Sequence, residues 1–520
     1  MLQNPARQKV APRSQSVTTA SLPAPTGGWN AKDALPNMDS RYAVQMDNFF
    51  PLATEVMLRK GNVAWATGLP GAVDTIAAYN STTTNKLFAA SGTGIYEVTS
   101  QGAVGAAVVT GLTSIRLQHV NYATSAGSYL YLVNGADKPN FYDGTAWVKV
   151  DNLSVPAITG VTTTLLSHVH MFKTRLFFVE ANSTRCWYLP VNAIGGAANS
   201  LDFAGQFSKG GKLVQMGTWS LDAGIGMDDY AAFMSSRGQV VIYRGTDPSD
   251  ATKWALVGVF DLGAPIGSRI FTKFGGDLLA ITYDGLTPMS KLLQSATINE
   301  AQSLTYTILQ ATSDATTAYG AVFGWETEVF PQANQLILNV PISSTASYQY
   351  VMNTITGAWC RFKDWNASCW ELYKDEMYFG TSTKVCKAWS GTSDQSVNIN
   401  AEVIQAFSYF GTPGKIKKFT AVRPTFQADN TPSVAIGLNV DFNLTTTVSA
   451  PSIVSITTSL WDTATWDLGM WGGSLLPIRP WRGISALGYC AAMHIVVASQ
   501  NLDLRWDATD FIYESGALIG

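Results

Sequence analysis

From about residue 72 to 395 the chain repeats one loose pattern: a short apolar run, a turn, and a second run that carries an aromatic residue. Lys86-Leu87-Phe88-Ala89-Ala90 leads through Ser91-Gly92-Thr93-Gly94 to Ile95-Tyr96-Glu97-Val98. Ser128 to Val133 leads in the same way to Asn140-Phe141-Tyr142-Asp143-Gly144. Both read as hairpins, because strand positions alternate and the turns carry Gly, Asn or Asp where φ must be positive. Further copies start at Arg175, Tyr230, Asp277, Gln335 and Glu376. The apolar runs begin near residues 87, 129, 175, 231, 278, 336 and 376, a mean period of roughly 48, which suits four-stranded propeller blades. One blade cannot bury both of its faces, so blades must stack radially. The expectation is an all-β fold, a β-propeller of about 6-7 degenerate blades; unrelated hairpins in a sandwich or barrel are the alternative.

Two hairpin tips resemble each other. Tyr142-Asp143-Gly144-Thr145-Ala146-Trp147 and Asn353-Thr354-Ile355-Thr356-Gly357-Ala358-Trp359 both set a Gly turn before a Trp that opens the next strand. After about residue 396 the alternating runs lengthen, as in Lys417 to Phe426 and Ser433 to Phe442, which predicts a C-terminal β-sandwich-like domain over 396-520, after a propeller over 29-395. Residues 1-28 hold Arg7, Lys9, Arg13, four Pro and no carboxylate, and read as a flexible N-terminal arm.

Composition sharpens the fold class. Hydrophobic residues make up 46% and aromatics 11%, but charged residues only 14%, against about 25% in ordinary globular proteins. Polarity comes from Gly, Ser, Thr and Asn instead, which suits strands and turns and suits helical surfaces poorly. The 16 Trp, 20 Tyr and 23 Phe exclude disorder of the whole chain. A net charge of −3 leaves no global basic field to hold nucleic acid. The five Cys (186, 360, 369, 386 and 490) are too scattered for a disulfide framework and read as buried reduced thiols. No apolar run reaches the roughly 18 residues of a membrane span, and no h-region follows the basic N-terminus.

Chemistry-bearing motifs occur in the chain only as fragments. His168-Val169-His170 sets two imidazoles on one strand face, half a metal site, and no Cys-x-x-Cys or clustered carboxylate supplies the rest. Phosphate loops, calcium loops and the Gly-x-Ser-x-Gly elbow are absent. Paired carboxylates occur at Asp228-Asp229, Glu326 with Glu328, and Asp375-Glu376; glycosidases need such pairs, yet all three read as solvated residues beside strands. Asp143-Gly144-Thr145-Ala146-Trp147 has the wrong spacing for a sialidase-type Asp box. The expectation is a protein that is not an enzyme and has no cofactor or metal. Trp461, Trp466 and Trp471 follow a five-residue spacing that fits neither a helix nor a strand face, and Pro480-Trp481-Arg482 comes next. This aromatic segment reads first as core or interdomain packing, then as a subunit or partner interface, and last as a sugar platform.

The order of these segments resembles the nozzle, also called tail tubular protein B or tail hub protein, of short-tailed bacteriophages. The resemblance is carried by the small-residue arm, Gly27-Gly28-Trp29-Asn30, Met46-Asp47-Asn48-Phe49-Phe50-Pro51, Arg59-Lys60-Gly61, the hairpin repeats, the Trp-Asp segment and the end from Arg505-Trp506-Asp507 to Gly520. It implies a structural virion protein of the phage tail, assembled in the host cytoplasm as a homo-hexamer. It also implies contacts with adaptor or portal proteins and with tail fibres or spikes, and double-stranded DNA passing through the lumen without specific binding. A carbohydrate-binding or glycan-cleaving propeller is the alternative.

Overall fold

The computed structural model describes residues 17–222, 227–291, 300–429, 432, 434–445, 448 and 475–516. Among them, seven blades form a closed ring. Their innermost strands are Val73–Asn80, Gln118–Thr124, Leu166–Phe172, Leu213–Asp222, Phe271–Phe274, Glu326–Phe330 and Cys369–Tyr373. Each touches the next in that order, and the seventh returns to the first. The fold is therefore all-β and a propeller, and among the described residues one short α-helix, Leu309–Tyr319, is inserted between the fifth and sixth blades.

Apolar clusters sit between neighbouring blades, as radial stacking requires. Leu130 and Tyr142 of the second blade pack on Phe88 of the first, and Phe178 of the third packs among Tyr131 and Phe141 of the second. The ring is closed by Val63–Thr67, which comes from before the first blade and pairs antiparallel with Val385–Lys387 of the seventh. Hydrogen bonds thus join the two ends of the ring, so opening it breaks a sheet rather than a loop.

The seven apolar runs read from the sequence are the second strands of the seven blades. Those strands are buried on both faces, as in Gln335–Pro341, where every residue is buried. The inner strands carry polar residues on their axial side, which dilutes their apolar signal. The two similar tips are both Asx turns: Asp143 Oδ1 accepts from the backbone N–H of Thr145 and Ala146, and Asn353 Oδ1 from those of Ile355 and Thr356.

The second domain is built from both ends of the described chain, and here the structure corrects the expected boundaries. Val17–Pro23 is a strand rather than part of an arm; it pairs residue by residue with Ala508 to Glu514. Its exposed and half-buried positions alternate, and the backbone hydrogen bonds that the small residues offered are filled by the far end of the chain. Residues 1–16 lie outside the described residues. Phe49–Pro51 and Val56–Leu58 join the same sheet beside Leu504–Ser515 and Lys417–Ala428. The opposing sheet continues directly from the sixth blade: Trp359–Phe362 is followed by Gly28–Trp29, Tyr42–Asp47, Ile399–Gln405, Ala491–Ser499 and Val434–Val440. Residues 28 to 58 therefore belong with the C-terminal domain, and one core runs through the sixth blade into it, with Trp359, Phe419, Phe426, Trp506 and Phe511 fully buried.

A buried polar junction ties the parts together, and it consists of the motif residues around Asp47 and Arg59. Asn48, in the left-handed region at φ 56, uses its whole amide. Nδ2 donates to the Asn400 carbonyl at 2.7 Å, and Oδ1 accepts from Arg59 Nε and the Lys363 N–H, each at 2.8 Å. Arg59 forms a two-pronged pair with Asp394 at 2.9 and 2.5 Å, while its guanidinium lies 5.0 Å from the Trp365 ring centre. Asp47 takes Arg361 in the same two-pronged way at 2.6 and 2.9 Å. Such a junction is costly to break from one side, because the remaining charge is buried without its partner.

Candidate functional site

The innermost strands turn their polar residues toward the ring axis, where they enclose a cavity of about 210 Å³. Gln118 and His119 come from the second blade, His168 and His170 from the third, Gln215 from the fourth, Glu326 and Glu328 from the sixth, and Glu371 from the seventh. Arg269 reaches in from the segment before the fifth blade. Residues two apart on a strand share a face, which is why His168 and His170, and Glu326 and Glu328, arrive as pairs.

Most of these groups are partnered. Arg269 pairs with Glu326 Oε2 at 3.0 Å and donates to the Asp74 carbonyl and Thr75 Oγ1, each at 2.9 Å. Glu326 Oε2 also accepts from the Trp370 N–H at 3.0 Å. His119 Nε2 lies 3.1 Å from Glu371 Oε2, and Glu371 Oε1 accepts from the Ala78 N–H. The rings of His168 and His170 stack at 6.2 Å with an interplanar angle of 15°. His168 Nε2 faces the Met216 carbonyl at 3.1 Å and His170 Nε2 faces Thr218 Oγ1 at 2.8 Å. The Glu328 carboxylate has the N–H of its neighbour Val329 as a hydrogen-bond partner and no ion pair among the described residues.

Burial sets the protonation states. It pushes the His168 imidazole down to about 4, with His119 adding to the effect, and His170 down to about 3, with His168 and Lys273 adding. Both rings are neutral at pH 7. Burial raises Glu326 against the pull of Arg269. Glu328 rises well above the ordinary carboxylate range through burial first, then through the neighbouring charges of Glu326 and Glu371. Two carboxylates on one strand are thus held in different environments, one compensated and one not.

The sequence-derived residues divide accordingly. Glu326 and Glu328 are axial residues, which overturns their reading as solvated, because the strand that carries them is innermost. Asp375 and Glu376 do sit at an exposed hairpin tip, where Glu376 pairs with Lys387 at 3.0 Å. Asp229 is held by Lys173 at 2.6 Å. His168 and His170 share one face, yet among the described residues no three His, Cys, Asp or Glu side chains form a metal-ready group. Arg269, Gln215 and Glu371 were not read from the sequence. Their signal is a lone polar residue about ten positions before, or just inside, an apolar hairpin, and it is visible only once the inner strand is assigned.

Of the expected interface residues, Trp461, Trp466 and Trp471 lie outside the described residues. Trp481 and Arg482 lie together on the C-terminal domain, at an outer strand, Arg482–Gly488, that pairs with Lys417–Ala428. Trp481 is 47% exposed, and its ring lies 4.7 Å from the Arg423 guanidinium, itself bound to Asp510 at 2.7 and 2.9 Å. Leu476 and Leu487 are exposed nearby at 60% and 59%. Among the described residues no strand pairs with the outer edge of Arg482–Gly488 or of Val17–Pro23, and no helix is long and apolar enough to cross a membrane.

The chain matches no family model and no curated protein. Among solved structures it is similar to BBS1N in complex with ARL6DN, soaked with mercury, at 13% identity and a TM-score of 0.29 over 45% of this chain and 73% of that one. It is also similar to the dihydro-heme d1 dehydrogenase NirN in complex with DHE, at 14% identity and a TM-score of 0.36 over 61% of this chain and 66% of that one. Likeness at this level carries no argument about activity, and the propeller rests on the closed ring of blades itself.

Proposed function

We propose that this chain is a structural protein of a short-tailed phage virion, the tail nozzle, which assembles as a ring of copies, attaches to adaptor and fibre proteins, and conducts the genome. The supporting observation is the composite second domain. Both ends of the described chain build it, its outer strand edges are open, and Leu476, Trp481 and Leu487 stand exposed along one of them. Open edges with exposed aromatic and aliphatic residues suit docking between subunits. The axial cavity of about 210 Å³ is far too small for a duplex, whose major groove alone is about 12 Å wide. In this reading the DNA path lies between copies and not through the propeller.

Electron microscopy of the purified chain, and of particles that contain it, tests the reading. A sixfold ring with a hole wide enough for duplex DNA is the expected result; isolated monomers in every setting would overturn it. The second reading, a carbohydrate-active propeller, is favoured by the Glu326 and Glu328 pair in the axial cavity. The cavity volume weighs against it, since sites for organic ligands usually span about 300–1,000 Å³. A glycan array and a hydrolysis screen without binding or turnover would end it.

A further inference from the structure

We infer that the outer edge of Val17–Pro23 pairs with the same strand of a second copy of this chain. Its pairing with Ala508 to Glu514 runs over seven residues without a register shift, and none of the seven is charged. Edge strands are normally guarded by charge, brevity or bulges. The outer strands Gly94–Glu97, Trp147–Lys149 and Asn199–Asp202 have three or four residues each. Trp254–Asp261 and Arg482–Gly488 are longer, and both carry a register shift against their neighbours. Val17–Pro23 has none of these guards, and among the described residues no strand pairs with its outer side.

The backbone is set for such a pairing. The Ala24 N–H donates to the Asp507 carbonyl at 2.9 Å, so by alternation Thr18, Ala20 and Leu22 bond inward. Val17, Thr19 and Ser21 turn their N–H and C=O groups outward. Pro23, with no N–H to offer, falls on an outward position as well. Ala20 and Leu22 pack half-buried against the core, and the same residues of a second strand would extend that face.

The surroundings select this strand as the occupant. Lys417–Ala428 takes one side of Leu504–Ser515, so Val56–Leu58 and Val17–Pro23 lie end to end along the other. Phe49–Pro51 pairs outside Val56–Leu58 and closes one end of the lane beside Val17–Pro23. In a two-fold arrangement each copy's Val17–Pro23 enters the other's lane antiparallel, end to end with the other's Phe49–Pro51, and no like charges meet. Thr19 of one copy then lies near Thr19 and Ser21 of the other. A single strand pair buries little surface, so the dimer should dissociate on dilution. This edge lies across the sheet from Trp481 and Leu487, so the pairing does not depend on ring formation.

Sedimentation of the full chain across a range of concentrations tests the inference. The expected result is a reversible monomer–dimer equilibrium, weakened at least tenfold in Thr19→Lys and unchanged in Ile355→Lys, an exposed hairpin-tip control. Hydrogen exchange of the unaltered protein gives a second readout, which stands even if Thr19→Lys fails to fold. The N–H groups of Val17, Thr19 and Ser21 should be protected in the dimer and exchange freely in the monomer, while that of Ala20 stays protected in both. A monomer at every concentration, a dimer that Thr19→Lys leaves intact, or equal exchange of Thr19 at both ends of the series would each overturn the pairing. Dimers that never form sixfold rings would count against the nozzle reading and leave this pairing standing; rings from a chain that never dimerises would do the reverse.

Discussion

Arg59 holds four neighbours at once. Its side chain is fully buried and bonds Asn48, Asp394 and the carbonyls of Lys60 and Lys363. Arg59→Met leaves Asp394 buried without its cation and should lower unfolding stability by about 3–5 kcal/mol, read as a denaturant midpoint shift at unchanged slope. The axial residues respond to pH with opposite signs. For His168 the folded value, about 4, lies below the ordinary 6.5, so the unfolded chain takes up the proton first as pH falls. Stability present above 6.5 is lost between 6.5 and about 4, by roughly 3 kcal/mol from this ring alone. His168→Gln should flatten that slope in a pH series of melting curves. Glu328 is raised, so it costs stability above its folded value and nothing below the ordinary 4.5. Glu328→Gln should therefore melt higher than the unaltered protein at pH 8, with the gap closing below pH 4.5. A gap that stays constant with pH would mean that burial of this charge is not its origin.

Each blade divides its labour between strands. The inner strand presents polar groups to the axis, and the second strand fills both inter-blade layers. That division explains what the sequence made legible. The fully buried second strands, such as Leu336 to Val340, announce themselves as apolar runs, and their number equals the number of blades. Inner strands such as Gln118–Thr124 mix His, Asn and Tyr, and the polar cavity they build was invisible until the ring set them side by side. The Asx tips at Asp143 and Asn353 were legible because the turn chemistry is local. The partner of Val17–Pro23 was not, because it lies almost 500 residues away and its small polar residues suit a free arm equally well. Ring closure has its own test. Gly61 has no room for a side chain, since a Cβ there would overlap the Ser393 carbonyl. Gly61→Ala should destabilise by about 1–3 kcal/mol and raise proteolysis next to the closing strand Val63–Thr67. Normal protease resistance would show that the junction can shift to make room.

For the whole molecule, the propeller and the composite domain share the sheet that passes from Trp359–Phe362 through Gly28–Trp29 to Ile399–Gln405. The two parts should therefore melt in a single transition, and calorimetry showing two separated peaks would contradict the shared core. Assembly belongs to the outer edge. Trp481→Ala with Leu487→Ser should reduce ring formation in electron micrographs while shifting the monomer's stability by less than about 1 kcal/mol, since both side chains are exposed. The pairing of Val17–Pro23 with Leu504–Ser515 also has a temporal meaning. A ribosome adding about 5–20 residues per second presents the first of these strands tens of seconds before its partner. Through that interval Val17–Pro23 and Val56–Leu58 wait without their neighbour Leu504–Ser515. The seven blades can collapse pairwise as they emerge and the ring can close once Val385–Lys387 is made, but the second domain reaches its final form only after the last strand is released.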